Sequence, residues 1–246
     1  MKILVCISKA PDTTSKIAFS EGNTKFDENG VQFIVNPYDE WYALVRALEL
    51  KEQAKGSVTL FHVGPKANEA IIRKGLAIGA DKAVRVDMEP KSALAVAKQI
   101  VAHAKEKNYN ALFFGKETID YNGSEVPAMV AELLGLPFIS HGVHMDVAGT
   151  VATVQRDIEG GRETVEVDFP FVISCAKGMA EQRIPNLRRI MMAKRKKIEV
   201  MAPVPTVDMV GLVQYAYPPS KTGVKLIDPN NMDELVNLLH NEAKVI

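Results

Sequence analysis

Ala111-Leu112-Phe113-Phe114-Gly115-Lys116-Glu117-Thr118-Ile119-Asp120-Tyr121-Asn122-Gly123-Ser124-Glu125-Val126 passes from an apolar run through a polar segment into a stretch, 126–134, with helical spacing. Four apolar residues closed by glycine read as a strand buried on both faces, followed by a loop and a helix. In an open parallel sheet ligands sit at such a place, because the helix starts with unpaired N–H groups that carry partial positive charge. Asn122, Gly123 and Ser124 suit a phosphate loop: glycine lets backbone approach, and Ser or Asn can cap the helix. The same residues would serve an ordinary capped turn, so the rest of the chain has to decide.

Residues 3–7 form a second short apolar run, ended by Ser8-Lys9-Ala10-Pro11-Asp12, and read as the first, central strand. Turn signals at Glu21-Gly22-Asn23 and Glu28-Asn29-Gly30 mark a small β insertion over 13–35. Asn36-Pro37-Tyr38-Asp39-Glu40 then opens a helix, with Asn36 as cap, Pro37 in the first turn, and Asp39 and Glu40 complementing the positive end. Strands at 57–63 and 83–86 alternate with helices at 67–78 and 91–107. This alternation predicts an α/β fold, a doubly wound, mostly parallel, Rossmann-like sheet. Strands at 138–146, 150–156 and 163–174 predict a β-rich edge. Beyond 200 the chain holds several prolines and no period until an amphipathic helix at 231–245 that needs a docking groove. The expected organisation is an α/β nucleotide-binding domain over 1–200 and an extended C-terminal arm over 201–246 that wraps a partner subunit.

A formal net charge of zero argues against a nucleic-acid binder. Cys6 and Cys175 lack CxxC spacing, so neither a disulfide framework nor a zinc site is indicated, and a reducing compartment fits. His141 and His144, three apart in a strand, point to opposite faces and make no metal pair. GxSxG, HExxH, P-loop and GxGxxG patterns are absent, and no run approaches the ~18 apolar residues of a membrane span. The apolar start at 1–7 is too short for a signal-peptide core, which predicts a cytoplasmic protein: bacterial cytosol, or mitochondrial matrix in a eukaryote although no transit peptide is seen. The expectation is a binding protein without side-chain catalysis. The loop after strand one, Asn36 to Asp39, the turn at Val63-Gly64-Pro65 and the 120–128 loop all fall at one end of the predicted sheet. Together they predict an adenine-nucleotide site, with Ser124 and backbone N–H groups on phosphate, Val63 near the base, and Asn36 or Asp39 on polar edges.

Several ordered motifs resemble the β subunit of electron-transfer flavoproteins: Asn-Pro-Tyr-Asp-Glu at 36–40, Val-Gly-Pro at 63–65, Gly-Leu-Ala-Ile-Gly-Ala-Asp-Lys-Ala at 75–83, Gly-Lys-Glu-Thr-Ile-Asp at 115–120, Ala-Glu-Leu-Leu-Gly-Leu-Pro at 131–137, Arg-Asp-Ile-Glu-Gly-Gly at 156–161 and Ala-Lys-Arg-Lys-Lys-Ile-Glu at 193–199. The resemblance implies a heterodimer with an α subunit that carries, or shares, the redox FAD. It takes electrons from acyl-CoA or other flavin dehydrogenases and passes them to a quinone-linked or other acceptor. It further implies a structural AMP in this subunit, or a second FAD as in bifurcating members, held by Cys6, Asn36, Pro37, Tyr38, Asp39, Val63, Asp120, Asn122, Gly123, Ser124, Glu125 and Val126. Dehydrogenase docking would fall on Met179 as a projecting anchor, with Glu181 and Arg183 beside it. Glu117, Thr118, Tyr121, Asn122 and Glu125 depart from the family's usual residues, and Glu125 beside a phosphate would be repulsive unless turned away. The alternative of another class is a stand-alone adenine-nucleotide sensor.

Overall fold

The computed structural model describes residues 1–246 apart from Tyr38 and Thr222. In chain order the elements are β1 (Lys2–Cys6), β2 (Lys9–Pro11), β3 (Phe19–Ser20), β4 (Lys25–Phe26), β5 (Phe33–Val35), α1 (Asp39–Ala54), β6 (Ser57–Val63), α2 (Glu69–Ile78), β7 (Lys82–Val86), α3 (Ala93–Ala104), β8 (Ala111–Gly115) and α4 (Val126–Leu134). There follow β9 (Phe138–Ala148), β10 (Val151–Ile158), β11 (Gly161–Asp168), β12 (Phe171–Cys175), α5 (Leu187–Arg195), β13 (Glu199–Met201) and α6 (Met232–Asn237). Among the described residues the main sheet has nine strands in the order β11-β10-β9-β12-β8-β1-β6-β7-β13. β1, β6, β7, β8, β12 and β13 run parallel, and β9, β10 and β11 form the antiparallel edge.

The central strands show no polar alternation because helices cover both faces. Ile3 and Val5 of β1 join Leu44 and Leu48 of α1 and Ile72 of α2 in one core; Leu4 and Cys6 join Ile100 of α3 and Val130 of α4 in the other. From β1 the chain winds outward through β6 and β7, then returns to place β8 on β1's other side. β1 and β8 therefore flank the switch point of the sheet, where the two connections part and leave a crevice. Gly115 closes β8 against the start of α1: a Cβ there would lie 2.7 Å from Glu40 Cγ and 2.9 Å from its backbone nitrogen.

The expected strand at 163–174 is two strands. β11 ends at Asp168 on the outer edge, whereas β12 starts at Phe171 in the sheet interior between β8 and β9. Pro170, with no N–H to donate, lies in the break, and the burial pattern changes from half-exposed in β11 to fully buried in β12. The C-terminal helix is also shorter than expected: α6 passes into a π-helical turn at Leu238–Glu242, and neither buries a residue.

Phe113 is fully buried in β8 at the centre of the sheet. We expect Phe113→Ala to lower unfolding free energy by about 3–5 kcal/mol in urea titration, and a loss below about 1 kcal/mol would mean that β8 is not the core strand described.

Candidate functional site

β1, β6 and β8 end together, with Cys6 opposite Phe61 and Val5 opposite Phe113. At this rim Cys6 and Val63 are each 8% exposed, and burial, with Glu40 adding, pushes the Cys6 thiol well above its ordinary value. Four connections converge there: Ser8 after β1, Asn36 after β5, Gly64 after β6 and the loop between β8 and α4.

Asn36 is fully buried and ties two of these connections together. Its Nδ2 donates to the Glu117 carbonyl at 2.8 Å, and its Oδ1 accepts from the Ile119 N–H at 2.9 Å. The expected helix cap is thus corrected: the amide is engaged with the loop after β8, which offers it both a donor and an acceptor. Asp39, the first residue of α1, joins in by accepting from the Glu117 N–H at 3.4 Å; its carboxyl is raised by burial and lowered by Lys116. Pro37 lies in the connection between Asn36 and α1, and Tyr38 lies outside the described residues.

The loop itself is tightly wound. Asp120 Oδ1 accepts from the Tyr121 N–H at 3.0 Å, and the Asn122 N–H donates to the Thr118 carbonyl at 2.9 Å. Asn122 (φ 50°) and Ser124 (φ 53°) are both left-handed, a conformation that costs a non-glycine residue roughly 1–2 kcal/mol. Ser124 does not cap α4: its hydroxyl points to Glu117 Oε2 at 3.5 Å, and Glu125, in the cap position, makes no side-chain cap bond. The helix end at Val126 is thereby left to other partners, and Gly123 leaves its outer side open, with only Glu125 Oε1 within 4 Å of where a Cβ would stand. Glu117 is held low by its ion pair with Lys116 at 2.8 Å.

Ser8, in the loop after β1, and Glu40, read from the sequence only as a complement to the helix dipole, both belong to this rim. Glu40 is buried in the first turn of α1 and accepts from the Ser8 N–H at 2.7 Å; its other oxygen lies 2.6 Å from the Ser8 hydroxyl. Burial pushes its carboxyl up to about 8 against the pull of both Ser8 bonds, and Asp120 and Asp39 add to the rise. At neutral pH this floor therefore carries a proton, which removes one negative charge from beneath an anion. A strict Asp-Glu pair in a first helical turn is the only local signal, and it reads equally well as a response to the helix dipole.

A sequence model of the electron transfer flavoprotein domain matches residues 23–206. The electron transfer flavoprotein subunit beta of Bacillus subtilis is 31% identical over the full length of both chains. That of Syntrophomonas wolfei is 34% identical over all of this chain and 98% of its own, and the mitochondrial protein of Arabidopsis thaliana is 34% identical over both full lengths. The chain belongs to the electron transfer flavoprotein β-subunit family. The doubly wound sheet is the fold expected of such a β subunit, a component of an electron carrier.

Of the three residues on which the resemblance places docking, Met179 differs from expectation in its burial. Met179 does not project: it is 3% exposed, and a Cβ on Gly142 would come within 2.9 Å of its methyl, so the absence of a side chain at 142 makes its berth. Arg183 is held within the chain by two bonds to Glu52 at the end of α1, at 2.7 and 3.2 Å, while Glu181 is exposed. The exposed apolar groups of this electron transfer flavoprotein subunit lie further on, at Ile184 (80%), Leu187 (73%), Met191 and Met192. α5 carries the last three of these on a firm base. Asn186 caps it by accepting from the Arg189 N–H at 2.9 Å, and the Arg73 guanidinium reaches the carbonyls of Ala193, Lys194 and Lys196 at its other end. Leu187, Arg188, Met191, Met192 and Arg195 line a groove of about 360 Å³.

Because the folded Glu40 carboxyl titrates near 8 and an unfolded one near the usual carboxylate value, the folded state holds the extra proton between them. Stability from this group is present below the unfolded value and is lost as pH rises toward 8. We expect Glu40→Gln to match the parent near pH 5 and to exceed it by ~1–4 kcal/mol near pH 8.5 in urea titrations; parallel pH profiles would contradict this assignment.

Proposed function

We propose that this chain is the β subunit of a heterodimeric electron transfer flavoprotein, holding a structural AMP and docking flavin dehydrogenases so that FAD in the α subunit can pass electrons to an acceptor. The observation that carries the nucleotide half is the convergence at the switch point. Cys6 and Val63 offer an apolar wall, Asn36 fixes the loop after β8, and that loop presents Gly123 and the uncapped start of α4 to an anion. The raised Glu40 carboxyl limits negative charge beneath a phosphate there, the Lys116–Glu117 pair adds no net charge, and exposed Glu125 has freedom to turn outward. FAD, when bound to the partner, supplies the redox chemistry; the residues of this chain bind, orient and exclude water.

The α subunit is the natural cover for the arm beyond β13, where Val207, Met209, Val210, Val213, Val224 and Leu226 are 67–90% exposed. Dehydrogenase docking is assigned to α5, with Leu187 as the aliphatic anchor and the methionines as adaptable packing around it. Basic Arg188 and Arg195 beside them fit an acidic rim on the dehydrogenase. The working compartment is the bacterial cytosol, or the mitochondrial matrix in a eukaryote.

Acid release of nucleotides from the purified heterodimer should give one AMP and one FAD. Two FAD and no AMP would make this a redox site, and FAD alone would remove the nucleotide assignment. In the same complex Leu187→Ala should slow electron delivery at limiting dehydrogenase by roughly fivefold or more with nucleotide content unchanged, and an unaltered rate would show that docking lies elsewhere.

A further inference from the structure

The arm beyond β13 stays on the surface and follows the same rim. Gln99 of α3 holds Val204 by two bonds, Nε2 to its carbonyl at 2.9 Å and Oε1 from its N–H at 2.8 Å. The hydroxyl of Ser92, which caps α3, donates to Asp208 at 2.7 Å. Further on, the Tyr215 ring lies flat on Phe19, with centroids 4.6 Å apart and planes 2° from parallel, and its N–H donates to the Asn23 carbonyl at 2.8 Å. Tyr217 packs on the same Phe19 at 4.9 Å. Ser92 follows β7, and Phe19 and Asn23 belong to the insertion after β1 and β2. The arm therefore runs from the start of α3, after β7, to the insertion that follows β2.

Midway it meets the loop after β8: the hydroxyls of Tyr121 and Tyr215 are 3.0 Å apart. Tyr121 directly precedes Asn122, the first of the two left-handed residues. Such conformations persist only where surrounding contacts hold them. On its inner side the loop is pegged by Asn36 at Glu117 and Ile119; on its outer side Tyr215 supplies the contact from another part of the chain. Tyr215 is itself fixed by the Phe19 stack and the Asn23 bond, so the peg is anchored at its base.

From this geometry we infer that Tyr215 is a positioning residue for the nucleotide loop, and that seating of the arm and occupancy of the site by an adenine mononucleotide favour one another. The inference rests on the nucleotide reading above. A loop already held in its bound shape forfeits less conformational entropy when the ligand arrives. Linkage makes the effect reciprocal: nucleotide must tighten the arm by the same factor. Because the arm is also the segment assigned to the α subunit, the contact gives nucleotide occupancy a route to subunit assembly.

The test uses the full-length chain freed of nucleotide, with AMP as the probe, and the variants Tyr121→Phe and Tyr215→Phe, which keep both rings and remove the hydroxyl bond. AMP should slow hydrogen exchange of residues 207–219 about threefold or more in the parent, and either variant should abolish that slowing. Each should weaken AMP binding by roughly three- to tenfold, the range of one hydrogen bond, and the double variant should be no weaker than either single one. Unchanged AMP affinity in both variants, with arm exchange indifferent to AMP, would overturn the coupling and leave the nucleotide site standing. Weakening by Tyr121→Phe alone would overturn it in favour of direct ligand contact. Failure of the parent chain to bind AMP would overturn the nucleotide reading and this inference together.

Discussion

The side chain of Asn36 is completely buried, and both of its polar groups engage the backbone of the loop after β8. This amide joins the entry to α1 with the exit from β8 across the switch point of the sheet. Removing it would leave a part-buried carbonyl and a part-buried N–H to find other partners, a loss of on the order of 1 kcal/mol each. The loop it holds contains two left-handed non-glycine residues, and the floor of the site contains a buried carboxyl pushed up to about 8. Both are unfavourable features that a rigid surround must support, and the close approach of α1 at Gly115 supplies that rigidity.

The central strands were legible because their burial is unconditional. Ile3 to Cys6 and Ala111 to Phe114 face helices on both sides, so they carry no alternation and announce themselves as interior. The helices that pack on these strands were equally legible from their apolar stripes. The details of the site were not, because its decisive contacts are remote: Asn36 reaches partners 81 and 83 positions away, and Glu40 reaches Ser8 across 32. Local pattern assigned Asn36 to a cap, since asparagine before proline is a good helix start. The burial of Met179, which the family resemblance did not reveal, is likewise set by a remote residue. Whether a methionine projects or packs depends here on a glycine at 142, and no spacing rule links the two positions.

Three surfaces with different chemistry share this neutral chain. The rim of the parallel strands joins an apolar wall to a polar loop, which the buried Asn36 amide holds from within. α5 is a basic helix with exposed leucine and methionine, fastened to α2 by Arg73 and to the end of that helix by Arg189, which donates to the Ile78 carbonyl at 3.2 Å. The arm is apolar and largely uncovered, except where Val204, Asp208, Tyr215 and Tyr217 touch the body. Such segregation would suit the proposed role, in which a nucleotide, a permanent partner and a passing dehydrogenase make incompatible demands on affinity and lifetime.

The most direct measurement of the account is calorimetric titration of AMP into the nucleotide-free chain and into Asn36→Ala, with a urea titration of each to establish that both are folded. If the buried amide builds the site, the folded variant will bind AMP roughly 10–100-fold more weakly. A folded Asn36→Ala chain that binds AMP as tightly as the parent would contradict the central claim.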